Sequence, residues 1–67
     1  MSSNSSLQIE LLTPAEVAKL LKISITGVRR LQHGRRIPFL KVGGSVRFLK
    51  GDIVAYLEAM RVEALDS

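Results

Sequence analysis

SITGVRRLQHGRRIPFLKVGGSVRF, residues 24–48, joins a helical pattern to a two-residue alternation. It carries six of the chain's ten basic residues (Arg29, Arg30, Arg35, Arg36, Lys41 and Arg47) and no acidic one. Its first part begins with Ser24, a good N-cap, and stops at Gly34, suited to a left-handed C-cap. Between them Val28 and Leu31 recur at helical spacing. The pattern predicts a helix over Ile25 to His33, with Val28 and Leu31 inward and Thr26, Gly27, Arg29, Arg30, Gln32 and His33 outward. The second part alternates with period two. In Leu40-Lys41-Val42 and Val46-Arg47-Phe48 the apolar residues are expected on one face, and Lys41 and Arg47 on the other. Gly43-Gly44-Ser45 between them reads as a turn, so this part is a β-hairpin. Pro38 lies at its entrance, where a missing N–H costs little.

Working outward, Leu12-Thr13-Pro14-Ala15-Glu16-Val17 is a strong helix start. Thr13 is the N-cap, Pro14 suits the first helical position, and Glu16 can close a capping box, with Leu12 and Val17 as a staple around it. This helix should run from Pro14 to about Leu21 and bury Val17, Leu20 and Leu21. Lys22-Ile23-Ser24 then breaks the pattern, with Ile23 as an apolar plug. Two short helices joined by about three residues, the second one basic, form the helix-turn-helix pattern. Beyond the hairpin, Ile53, Tyr56, Leu57 and Met60 mark one face of a third helix that starts near Lys50-Gly51-Asp52. It is expected to pack back over the first helix and the hairpin. The expected architecture is α+β: a winged helix-turn-helix of three short helices and a two-stranded β-hairpin wing over residues 9–61. Residues 1–8 are Ser/Asn-rich and expected to be disordered, and residues 62–67 to fray.

A chain of 67 residues makes one small domain whose large apolar residues are needed for packing. Without Cys there is no disulfide or thiolate metal site, and the single His33 cannot build a zinc site alone. Neither can a Ser/His/Asp or Cys/His set be assembled, and the basic stretch lacks the carboxylates a metal-dependent nuclease needs. No catalytic role and no cofactor are therefore expected. The net charge of +4 conceals a polarity: residues 29–50 carry seven positive charges and no negative one, whereas residues 51–67 are net negative. That concentration suits a partner with a dense negative surface. No apolar run has the length of a membrane span, and MSSNSSLQ lacks the features of a secretory signal, so an intracellular location is expected.

The residue types on the basic helix fit double-stranded DNA. Arg can donate two bonds to a guanine edge and Gln to an adenine edge. Ser24 and the helix N-terminus can hold a phosphate. An Arg pair alone fits a solvated helix face equally well; the basic hairpin and the two-helix geometry favour nucleic acid. Gly27 reads either as a point of close approach to DNA or to the first helix, or as a tolerated surface glycine. His33 reads as a phosphate contact or a plain surface residue, and Tyr56 as a core aromatic whose hydroxyl reaches water. The few aromatics argue against a stacking platform for single strands.

LLTPAEVAKLLKIS at residues 11–24, Val28-Arg29-Arg30-Leu31, Gly34-Arg35-Arg36-Ile37-Pro38, the run from Lys41 to Phe48 and Asp52-Ile53-Val54-Ala55-Tyr56-Leu57 together resemble the excisionase-type family of small winged helix-turn-helix proteins, which share their DNA-binding fold with MerR-type regulators. The resemblance covers about residues 11–58. It implies a second helix in the major groove and a wing along the minor groove or backbone. Carried over by position, Thr26, Arg29, Arg30 and Gln32 match the groove-facing helix, and Lys41, Ser45 and Arg47 the wing; Ser24, His33, Arg35 and Arg36 complete the expected DNA-binding set. Family members often carry a basic or polar residue and a Thr where this chain has Ile25 and Gly27. The role it implies is that of a recombination directionality factor, which bends DNA and directs an integrase or recombinase toward excision. At this length no effector-binding or dimerisation domain is expected, in keeping with that role. A small transcriptional regulator of the same fold is the alternative, and a protein-interaction module with a basic face is the alternative from another class. The expected setting is the cytoplasm, in association with the nucleoid. Since the third helix is expected to use its apolar face in the core, the protein is expected to be a monomer in solution, cooperative only on DNA.

Overall fold

Thr13 and Glu16 start the first helix by a reciprocal exchange of hydrogen bonds. In the computed structural model, which describes residues 9–62, the Glu16 N–H donates to Thr13 Oγ1 (3.1 Å) and the Thr13 N–H donates to Glu16 Oε1 (2.8 Å). This is a complete capping box, and its loss typically costs ~1 kcal/mol. Helix α1 runs Pro14–Leu21. It closes through the Ile23 N–H to the Ala18 carbonyl (3.0 Å) and the Lys22 N–H to the Lys19 carbonyl (3.3 Å), with Lys22 left-handed at φ 59°. That pair of bonds is a Schellman motif. Ser24 Oγ accepts from the Gly27 N–H (3.0 Å) and caps α2, Ile25–His33.

Helix α2 ends at His33, as expected, and closes in the same motif, but with its left-handed residue one position later than expected. Arg36 N–H donates to the Leu31 carbonyl (2.9 Å) and Arg35 N–H to the Gln32 carbonyl (3.0 Å). The left-handed residue is Arg35, at φ 55°, whereas Gly34 has φ −82°. Glycine is favoured at 34 by space instead: a Cβ there would lie 3.2 Å from the Arg30 carbonyl oxygen.

A side-chain-bearing residue in the left-handed region is strained by ~1–2 kcal/mol, partly offset in a glycine variant by its larger unfolded-state entropy. Lys22→Gly is therefore expected to stabilise the domain by up to about 1 kcal/mol and raise its melting temperature by several degrees. A thermal melt beside Lys22→Ala checks this, and a glycine variant melting no higher than the alanine one would remove strain as the explanation.

Three strands accompany the helices, one more than expected: β1 (Leu11–Leu12), β2 (Leu40–Val42) and β3 (Ser45–Leu49), antiparallel in the order β1-β3-β2. Strand β1 is too short for alternation to reveal it. The Lys50 N–H donates to the Glu10 carbonyl (2.9 Å), and Lys50 Nζ lies 3.6 Å from Glu10 Oε1, so β1 is tied to the start of α3, Lys50–Ala59.

The hairpin register corrects the expected faces. Gly43 and Gly44, at φ 56° and 89°, make a two-residue turn, as both central positions of a type I′ turn require. Val42 thus pairs with Ser45, Lys41 with Val46 and Leu40 with Arg47. Directly paired residues share a face. Lys41 therefore lies on the side of Val46 and Phe48, while Arg47 and Ser45 lie on the other with Leu40 and Val42. The three-residue turn read from the sequence would have put Lys41 and Arg47 together; one residue fewer reverses one strand against the other.

Val17, Ala18, Val28, Ile37, Phe48 and Ile53 form the buried core, with Leu12, Leu21, Leu31, Phe39, Val46 and Tyr56 packed against it. Ala18 takes the place expected for Leu20, which is exposed. Helix α3 buries Ile53 and packs chiefly on β3 rather than over α1. It leaves Val54, Leu57 and Met60 on the surface, so its apolar face is not used up in the core as expected. The expected N-terminal tail, residues 1–8, lies outside the described residues, as does the expected frayed end apart from Val62.

Candidate nucleic-acid interface

Helix α2 has an inner side fixed by Val28, which is fully buried. At about 100° per residue, Thr26 and Arg30 fall nearly opposite Val28, with Arg29 and His33 to one flank and Gly27 and Gly34 to the other. Thr26, Arg29, Arg30, His33 and Gly34 accordingly border one open groove along the outside of the helix. Four of the expected helix residues are thus brought together.

Gln32 is not among them. It was expected outward, but only 9% of it is exposed. It follows Val28 by one turn and shares its inward direction, so its amide is not presented beside Arg29 and Arg30. The buried arc of α2 is wider than its apolar residues mark, and a polar residue at its edge carries no pattern that would disclose this.

Ser24 is exposed at the start of α2. Its oxygen accepts from the Gly27 N–H, which leaves its hydroxyl hydrogen free to donate outward. Gly27 serves packing within the turn: a Cβ there would lie 3.3 Å from Ile23 Cδ1, so the close approach is by Ile23 and not by α1. Arg35 and Arg36 are exposed on the turn that closes α2. On the hairpin, Lys41 and Ser45 are exposed on opposite faces. Arg47 is half-buried, and its Nη1 donates to the Val46 carbonyl oxygen (2.7 Å), which holds the side chain along its own strand.

The electrostatics follow from what surrounds these groups. Among the described residues the ion pairs are Lys50–Glu10 and Arg61–Glu58 (3.9 Å). Lys50 is therefore partly neutralised, whereas Arg29, Arg30, Arg35, Arg36, Lys41 and Arg47 have no carboxylate within ion-pair distance among the described residues. Six unpaired cations on one small domain produce a positive field that attracts a polyanion and is screened by salt. No group of three His, Cys, Asp or Glu side chains that could hold a metal ion occurs among the described residues, and none of their helices is long and apolar enough to cross a membrane.

Sequence spacing did not disclose a second cleft, between α2 and α3. It is bordered by Ile23, Gly27, Leu31, Arg30, Arg36 and Tyr56. Residues of the run 23–36 and Tyr56, twenty residues further on, meet there, so no local motif announces it.

A family model described as a helix-turn-helix domain matches residues 11–61. No curated protein and no solved structure matches the chain significantly.

Proposed function

Because the chain belongs to the excisionase-type family of helix-turn-helix domains, a DNA-binding fold, we propose that it binds double-stranded DNA in a sequence-specific manner with α2 in the major groove. The observation that carries this is the outer side of α2, where Thr26, Arg29, Arg30 and His33 border one groove with no carboxylate beside them. In this reading Arg30 and Thr26 face base edges. Ser24, Arg35 and Arg36 donate to phosphates, and Lys41, Ser45 and Arg47 carry the wing along the minor groove or backbone. Arg29 and His33 stand at the flank of the reading face.

The test is discrimination between a duplex obtained by selection and a random one. A bidentate Arg–guanine contact discriminates by ~1–3 kcal/mol, so Arg30→Ala should narrow the affinity ratio by roughly 5- to 150-fold. Arg29→Ala should narrow it less, since that residue lies nearer the flank. If both variants keep the parent ratio, α2 is not the reading element.

We further infer an architectural role in the cell's nucleoid: bending DNA so that an integrase acts toward excision. Family membership supports this role, and a transcriptional regulator of the same fold is the rival. An integrase reaction on DNA carrying the selected sites separates them. Excision that depends on added protein is expected; site binding without bending or excision would favour the regulator.

A further inference from the structure

The cleft between α2 and α3 has a volume of about 570 Å³ and adjoins the outer groove of α2, with Arg30 bordering both. Ile23 and Leu31 give it an apolar lining. Arg30 and Arg36 are the charged residues that line it, and no carboxylate does. Tyr56 enters from α3. Its ring packs against the core, and its hydroxyl makes no hydrogen bond among the described residues. An apolar lining, the Arg36 cation and an unengaged hydroxyl suit a sugar-phosphate strand: the sugar meets the apolar side chains and the phosphate meets the donors.

We propose that this cleft is a phosphate-binding site that receives one DNA strand as it leaves the outer groove of α2, with Tyr56 donating its hydroxyl to a phosphate oxygen that Arg36 also holds, while Arg30 at the shared border keeps its base contact. The inference rests on the DNA-binding reading above and extends it, because it makes α3 a third element of the interface beside α2 and the wing. Continuity of the two grooves across Arg30 favours DNA over an acidic peptide. A phosphate contact carries no base information, so Tyr56 sets affinity and register without setting sequence preference.

Tyr56 is the only tyrosine and there is no tryptophan, so 3-fluorotyrosine places a single fluorine reporter in the cleft. The experiment follows that ¹⁹F resonance in the full chain on titration with the selected duplex, and measures binding of Tyr56→Phe and Arg36→Gln to the selected and a random duplex. Melting curves of both variants confirm that the fold is kept. The resonance should shift with the duplex. Tyr56→Phe should weaken both duplexes by about 3- to 10-fold, the effect of one hydrogen bond, with the salt dependence unchanged. Arg36→Gln should weaken both and reduce the salt slope by about one unit. A parent that binds DNA while the resonance stays fixed and both variants bind like the parent would overturn the phosphate site and leave the DNA reading standing. A parent that binds no DNA overturns both. A shift produced by an acidic peptide but not by DNA would overturn the inference in favour of a protein partner.

Discussion

Phe48→Ala is expected to leave the domain largely unfolded at 25 °C. Phe48 is fully buried on β3 and pairs with Leu12 of β1, so it joins the strand that opens the fold to the hairpin and the helices. Truncating a buried Phe to Ala typically costs ~3–5 kcal/mol, as lost transfer energy and a residual cavity combine. A single core in a chain this small rarely supplies more than ~3–5 kcal/mol in total. The two magnitudes meet, so the folded population should collapse. Far-UV circular dichroism and a urea titration check this; a cooperative transition near the parent midpoint would mean that the core is centred elsewhere. Leu31, which the sequence pattern placed firmly inward, is only partly buried, and Leu31→Ala should be the milder substitution.

The second large effect concerns affinity. Replacing Arg29, Arg30, Arg35 and Arg36 together by Gln should reduce DNA binding by on the order of 1,000-fold. Each loses a charge-assisted contact worth roughly 1 kcal/mol after allowance for solvent exposure, and four such losses approach three powers of ten. Stability should hold or improve slightly, since none of the four has a carboxylate partner among the described residues and like charges repel. Anisotropy titrations, with a thermal melt as control, measure both. A variant that keeps most of the parent's affinity would move the interface to the hairpin.

Most of the fold was legible in local chemistry. Thr13-Pro14-Ala15-Glu16 and Ser24 announce two helix starts, because capping is written in adjacent residues, and the structure makes both sets of bonds. What the sequence concealed was set by register and by distant contacts. Gly43-Gly44-Ser45 does not say whether the turn has two residues or three, yet that single residue decides which face Lys41 and Arg47 occupy. Gln32 looked like a reader because it is polar, but its direction is set by Val28 one turn earlier. Gly34 marks the end of α2 but not its left-handed residue, because a Schellman turn admits Arg35 there when the backbone bonds compensate. The α2–α3 cleft had no local signature, since Arg36 and Tyr56 meet only through the tertiary fold.

This surface is expected to meet DNA through its phosphates. The most direct measurement is the salt dependence of duplex binding, followed by fluorescence anisotropy over several salt concentrations. With Lys50 partly neutralised by Glu10, six other basic side chains of residues 29–50 are available. If roughly four to six of them neutralise phosphates, log K should fall with log salt at a slope of about −4 to −5 for the parent. The four-arginine variant should retain a slope of about −1 to −2. A parent slope near zero would contradict the account and remove nucleic acid as the principal partner.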